Sequence, residues 1–144
     1  MDTKIQGSGL FRGFLCAQGA AAMAVILVAY GVSEGSLLKA ALWSAAIAVV
    51  PSTWAGFQLW LHPRNQMPSR LAGAAVRAEI GRMLITLLMF YGALKSDPTL
   101  AQKAPAATML GGYFIIYLAG AIWLARVTGG SVEAELMKHR KDND

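Results

Sequence analysis

The chain has 144 residues, of which 56% are apolar and only 15% charged, and it carries a net charge of +5. Soluble domains average about 25% charged residues, and the mean hydropathy here is positive; a soluble core is excluded and one all-α, integral membrane domain is expected. The net charge is not a nucleic-acid signature, because Lys and Arg sit beside apolar runs, where they fix orientation and touch anionic lipid.

Residues 1–9 are polar and small and are expected to form a short mobile end. The run 13–32 carries no charge and is long enough to span a bilayer. It exceeds the apolar core of about 7–15 residues in a secretory signal, and no A-x-A site follows it, so it is expected to be an uncleaved first helix. Gln18 is its internal polar group, expected to hydrogen-bond a neighbouring helix rather than face lipid. Cys16 is the only cysteine, which excludes an intramolecular disulfide and a cysteine metal site; it reads as an inert, small apolar residue.

After a tight turn at Ser33 to Ser36, the second span is expected over 37–61. Ala40, Ser44, Ala48, Ser52 and Gly56 recur every four residues along it, a small-residue row that lets another backbone approach closely. That backbone could be a partner's or that of the first helix, whose Gly9, Gly13, Ala17 and Ala21 offer a similar surface. Pro51 removes one backbone N–H and should kink the helix, with Ser52 or a neighbouring helix satisfying the freed carbonyl. Trp60 fits the aromatic belt at the exit, and Trp54 reads as a deeper packing residue. The basic loop at His62 to Arg70 holds a solvated histidine, not a metal site.

The third span, 71–94, contains the central feature. A span needs roughly 20 residues, and counting back from Lys95 takes Glu79 and Arg82 into the apolar layer. Each costs about 2.5–3.5 kcal/mol at the bilayer centre on insertion scales. Three residues apart, they share one helix face and can pair, while Arg77 can snorkel to the interface. Intramembrane charge is by default a functional site, so Glu79 and Arg82 are the candidate contact point for another helix, an ion or a partner subunit. A loop with Pro98 and Pro105 leads to the fourth span, 106–126, where Gly112, Gly120 and Ala121 thin one side. Tyr113, Tyr117 and Trp123 are read as belt residues. Gly129-Gly130 is expected to break the helix within the charged tail, 127–144.

Four spans put both termini and the middle loop on one side, together with Lys4, Arg12, Arg64, Arg70, Arg126, Lys138, Arg140 and Lys141; only Lys39, Lys95 and Lys103 lie opposite. That asymmetry places both termini in the cytoplasm. No phosphate loop and no Ser-His-Asp or Cys-His arrangement can be assembled, since the only histidines are His62 and His139. Catalysis is not expected, nor any cofactor.

The order of these features resembles ATP synthase protein I, the small four-helix membrane protein encoded with bacterial F-type ATP synthases. Gln18 stands for the family's first-helix glutamine. Val50-Pro51-Ser52-Thr53-Trp54, followed by Phe57, stands for its apolar-Pro-Asn element with aromatics. Ala78-Glu79-Ile80-Gly81-Arg82, followed by Met83-Leu84-Ile85, stands for its Gly-Glu-x-x-Lys element. The likeness runs from Arg12 to Leu124, with Ser52 in place of Asn and Arg82 in place of Lys; the latter changes a point charge to a planar fork. The resemblance implies a non-catalytic accessory factor of a bacterial inner membrane. It would assist insertion and assembly of the c-subunit rotor ring and associate with the synthase membrane sector. Gln18, Pro51, Ser52, Glu79, Gly81 and Arg82 would be its partner-binding residues. The expected mechanism joins the small-residue row to the Glu79 and Arg82 pair. The alternative is a divalent-cation (Mg²⁺) carrier or channel, with Glu79 as ligand in a homo-oligomer. One carboxylate binds Mg²⁺ only weakly, and Arg82 repels it.

Overall fold

The computed structural model describes residues 3–32, 34–61 and 68–141, with side chains over 9–32, 34–59 and 72–129. The expectations for His62, Arg64 and Ser33 fall outside the described residues, and those for Trp60 and His139 outside the described side chains. Four long helices make up the fold: α1 (Thr3–Gly31), α2 (Gly35–Gly56), α3 (Pro68–Ser96) and α4 (Lys103–Lys141). α2 continues into a π-helical turn, Phe57–Leu61, and a 3₁₀ turn, Pro98–Ala101, joins α3 to α4.

Three stretches are long and apolar enough to cross a membrane: Gly9–Gly31, Gly35–Leu59 and Lys103–Gly129. α3 is equally long but more polar near its start, where Arg77, Glu79 and Arg82 fall. Many large apolar side chains face outward, Val28 at 71% and Leu88 at 67% exposure among them. Such a surface suits lipid and would be a liability in water.

The helices begin and end differently from the expectation at two places. α1 starts at Thr3, so most of the expected mobile end is helical. α4 runs through Gly129-Gly130 to Lys141; two glycines cost about 1 kcal/mol each in a helix interior, which weakens a long helix without ending it. α2 passes through Pro51 without interruption, and the change of winding comes later, at Phe57.

α2 is the centre of the bundle, lying against each of the other three long helices, while α1 and α4 also touch one another. The small-residue row makes this possible. Ala40, Ser44, Ala48, Ser52 and Gly56 are all buried. A Cβ on Gly112 of α4 would fall 2.5 Å from Ser44 Oγ and 3.1 Å from Val25 of α1. Ala48 packs with Ala22 of α1 and Ile116 of α4. Ala40 packs with Ala93 of α3, Leu100 of the 3₁₀ turn and Met109 of α4. The row is therefore consumed inside the protein and presents nothing to an outside helix. It meets α4 as much as α1, whose Gly13 instead lies under Trp123 of α4.

Candidate functional site: the seam between α3 and α4

α3 is attached on one side only. Its small residues Ala74, Ala78 and Ala93 are buried, and Gly81 brings it so near α2 that a Cβ there would sit 2.7 Å from Trp54 Nε1. Trp54 is thus a packing residue, as expected, though 45% exposed. Toward α4 the two backbones stay apart, and only long side chains bridge the gap. Phe90 meets Tyr113 edge-on, with centroids 5.5 Å apart. Arg82 lays its guanidinium over the Tyr117 ring, 4.6 Å from the centroid. Tyr113 and Tyr117 stack on one another at 6.1 Å.

These tyrosines correct the belt expectation. A belt residue caps the end of a span, whereas Tyr113 packs against the buried clusters on both sides of α2, and Tyr117 carries Arg82. Trp123 covers Gly13, near the ends of the Gly9–Gly31 and Lys103–Gly129 stretches.

Glu79 and Arg82 form the expected ion pair, Arg82 donating to Glu79 Oε1. The halves differ: the Arg82 side chain is 20% exposed, held by Tyr117, and the Glu79 side chain is 49% exposed at the seam's edge. A cation over an aromatic ring gains about 0.5–2 kcal/mol, more as water is excluded. Arg82 is therefore the fixed charge and Glu79 the presented one.

Two hollows flank Arg82. One of about 170 Å³ reaches inward past Glu79, Tyr117, Ser52 and Gly56 to Phe14 of α1. The other, of about 320 Å³, lies along Met83, Thr86, Leu87 and Tyr113. Ser52 links the first to Gln18, which is fully buried and donates its Nε2 to Ser52 Oγ at 3.2 Å. Gln18 thus bonds a neighbouring helix, as expected. Its Oε1 is buried without a partner, and Gly120 is the position that lets its stem lie against α4.

The structure accordingly gathers Glu79, Arg82, Ser52 and, through Ser52, Gln18 at one level of the bundle. Gly81 supports this cluster from behind; Pro51 is buried in α2 beside it but does not line either hollow. Tyr117 and Phe14 were not expected at the site. Their signal in the sequence is slight: Tyr113, Tyr117 and Gly120 fall on one face of α4, the same face as the thinned side.

At the opposite end of α3, Lys39 bonds Asp97 at 2.9 Å. Asp97 also accepts from Thr99 Oγ1 at 2.6 Å and Thr99 N at 3.0 Å. Thr99's hydroxyl, then Lys39, hold the Asp97 carboxyl down to about 2. Among the described residues no group of three or more His, Cys, Asp or Glu is placed to hold a metal ion. Compared with known proteins, the chain matches no family model, no curated protein and no solved structure.

Proposed function

We propose that the chain is a non-catalytic partner-binding membrane protein that receives a helix of a larger assembly in the α3–α4 seam. That assembly is the F-type ATP synthase of a bacterial inner membrane, whose c-subunit rotor ring the chain helps to insert and assemble. On this reading α3 is the fourth span, and both termini are cytoplasmic, on the side that carries most of the Lys and Arg. The ATP synthase assignment rests on the resemblance of Gln18, Val50 to Trp54 and Ala78 to Arg82 to the family elements quoted above.

The observation that carries the seam as docking site is the asymmetric Glu79–Arg82 pair in an unclosed gap. Gly81 lies level with Trp54, about 10 Å along the helix from the midpoint of the Gly35–Leu59 stretch, and Glu79, two residues nearer the start of α3, lies about 13 Å from it. That depth falls inside a hydrocarbon half-thickness of about 15 Å. A half-exposed carboxylate there faces lipid unless something polar covers it, and lipid contact is costly. A partner helix bearing a hydrogen-bond donor at that depth removes the cost. The small-residue row has no part in this account, being buried. The Mg²⁺ reading is weakened because Arg82 already holds the carboxylate that would bind the cation.

The test is a mild-detergent pull-down of the tagged chain from membranes, with bound proteins identified by mass. The wild type is expected to recover c subunit. The double variant Glu79→Gln with Arg82→Met, matched for thermal stability, is expected to recover about tenfold less, the equivalent of about 1.4 kcal/mol of binding. Equal recovery by both would overturn the polar-contact reading, and absence of synthase subunits from the wild type would overturn the partner assignment.

A further inference from the structure

The inner hollow beside Arg82 is small, but polar residues reach it from three helices. Ser52 comes from α2, Glu79 and Arg82 from α3 and Tyr117 from α4, around a space of about 170 Å³. A larger groove beside α1 and α4, about 440 Å³, has Thr108 as its one polar side chain among the described residues. The two differ in the occupant they suit. Hydrocarbon satisfies the groove, whereas it leaves polar groups of the hollow without partners. The hollow also reaches Leu59 and Leu124, near the ends of the Gly35–Leu59 and Lys103–Gly129 stretches, which brings it close to solvent at that end of the bundle.

Ser52 is the unusual hydroxyl of α2. Ser44 donates to the Ala41 carbonyl at 2.7 Å, and Thr53 donates to the Val49 carbonyl at 2.8 Å. Ser52 makes no such bond among the described residues. Its oxygen accepts from Gln18 Nε2, and its own proton remains for another acceptor. The Glu79 carboxylate offers about four acceptor positions, and Arg82 donates to one of its oxygens. A guanidinium has more N–H groups than that bond uses. Ser52 bonds neither residue directly. A group that joins them must accept from a hydroxyl on one side and donate or accept on the other. Water does both, and the hollow has room for about five waters at about 30 Å³ each. A hydrocarbon tail does neither, and a buried polar group left unpaired is costly.

We propose that the inner hollow is a water site. Bound water joins the Ser52 hydroxyl on α2 to the Glu79–Arg82 pair on α3, and through the Gln18 bond the chain of hydrogen bonds reaches α1. The water lies on the inner side of the pair, leaving the part of Glu79 exposed at the seam's edge as it is. The site stands whether or not the seam receives a partner.

The experiment is radiolytic hydroxyl-radical footprinting of the full chain in phospholipid nanodiscs, read by peptide mass spectrometry. Radicals formed from bound water label the side chains beside it, even where bulk solvent is excluded. Phe14 lines the hollow and is only partly exposed, whereas Phe114 is 52% exposed. Two rings of the same kind share one intrinsic reactivity. With water in the hollow, Phe14 should be labelled about fivefold faster than Phe114, whose surroundings are lipid tails. Ala121→Leu puts a larger side chain into the hollow and should bring Phe14 down to the rate of Phe114. That variant also separates water in the hollow from water at the end of the bundle. Ala55→Leu is the second filling variant, should the first not fold. Labelling of Phe14 no faster than Phe114 in the wild type, or wild-type labelling of Phe14 in a folded filling variant, would each overturn the proposal.

Discussion

The α1–α2–α4 interface and the α3–α4 seam are built in opposite ways. Where α2 meets α1 and α4, residues are small and the backbones close on one another: Ser44 against Gly112, Ala48 against Ala22 and Ile116, and Gln18 against Gly120. Where α3 faces α4, residues are long, and the backbones are held apart by Arg82 on Tyr117 and Phe90 on Tyr113. In lipid there is little hydrophobic drive between helices, so small residues decide which pairs close. The same rule decides which pair stays open. The buried row closes α2 against its neighbours, and the unclosed seam, with charge inside it, is the docking face proposed above.

The sharpest way to break this comparison uses two adjacent glycines. Gly112→Leu forces a side chain onto Ser44, whose Cβ lies 3.0 Å from the added Cβ. It should destabilise by about 3 kcal/mol, the upper part of the usual overpacking range. Gly111→Leu points into open space and should stay within about 0.5 kcal/mol of wild type. Chemical unfolding in mixed micelles reads both, and equal effects would contradict the closed packing of α2 with α4.

Gln18→Ala comes next, at about 2 kcal/mol, because it opens a cavity and removes the bond to Ser52. Gln18→Leu keeps the volume and deletes the unpartnered Oε1, so the same unfolding assay should find it nearly neutral. A large loss with leucine would mean that the amide itself holds α1 to α2.

On the open side the effects should be smaller. Tyr117→Leu removes the ring beneath Arg82 and should cost about 1 kcal/mol. It should also raise the reactivity of a cysteine placed at Thr86, on the neighbouring hollow, toward a thiol reagent.

The smallest effect is expected at the Lys39–Asp97 contact. Its carboxyl lies below the ordinary 3.8, at about 2. The contribution is therefore complete above 3.8 and is lost as pH falls toward 2. Melting temperatures of wild type and Asp97→Asn should differ slightly near neutrality and converge near pH 2. A gap that persists there would remove the ion pair from the account.

Much of the closed side is legible in the sequence, because it follows from local spacing. The four-residue recurrence from Ala40 to Gly56 marks a close-packing face, and a lone Gln18 in an apolar run marks an interhelical bond. The Glu79–Arg82 pair is equally local, set by a three-residue separation. What spacing does not reveal is which neighbour takes each face. The row's principal partner includes α4, with Gly112 and Ile116, and not the Gly9 to Ala21 surface of α1 alone. Tyr113 and Tyr117 read as belt residues because their distance from a helix end is all that the sequence gives, while their stacking under Arg82 joins elements far apart in the chain. Gly129-Gly130 reads as a stop because glycine lowers helix propensity, yet nothing sterically forbids the helix there.

The claim that the α3–α4 seam receives a partner helix is tested most directly by photo-crosslinking in intact membranes. A photoreactive residue is placed at Thr86, beside Arg82 in the seam, and in a separate variant at Leu84, on the exposed face of α3. The account expects the Thr86 position to capture a rotor-ring subunit and the Leu84 position to capture far less, with the Thr86 product lost on Glu79→Gln and Arg82→Met. Equal capture from both positions, or capture from Leu84 alone, would contradict it.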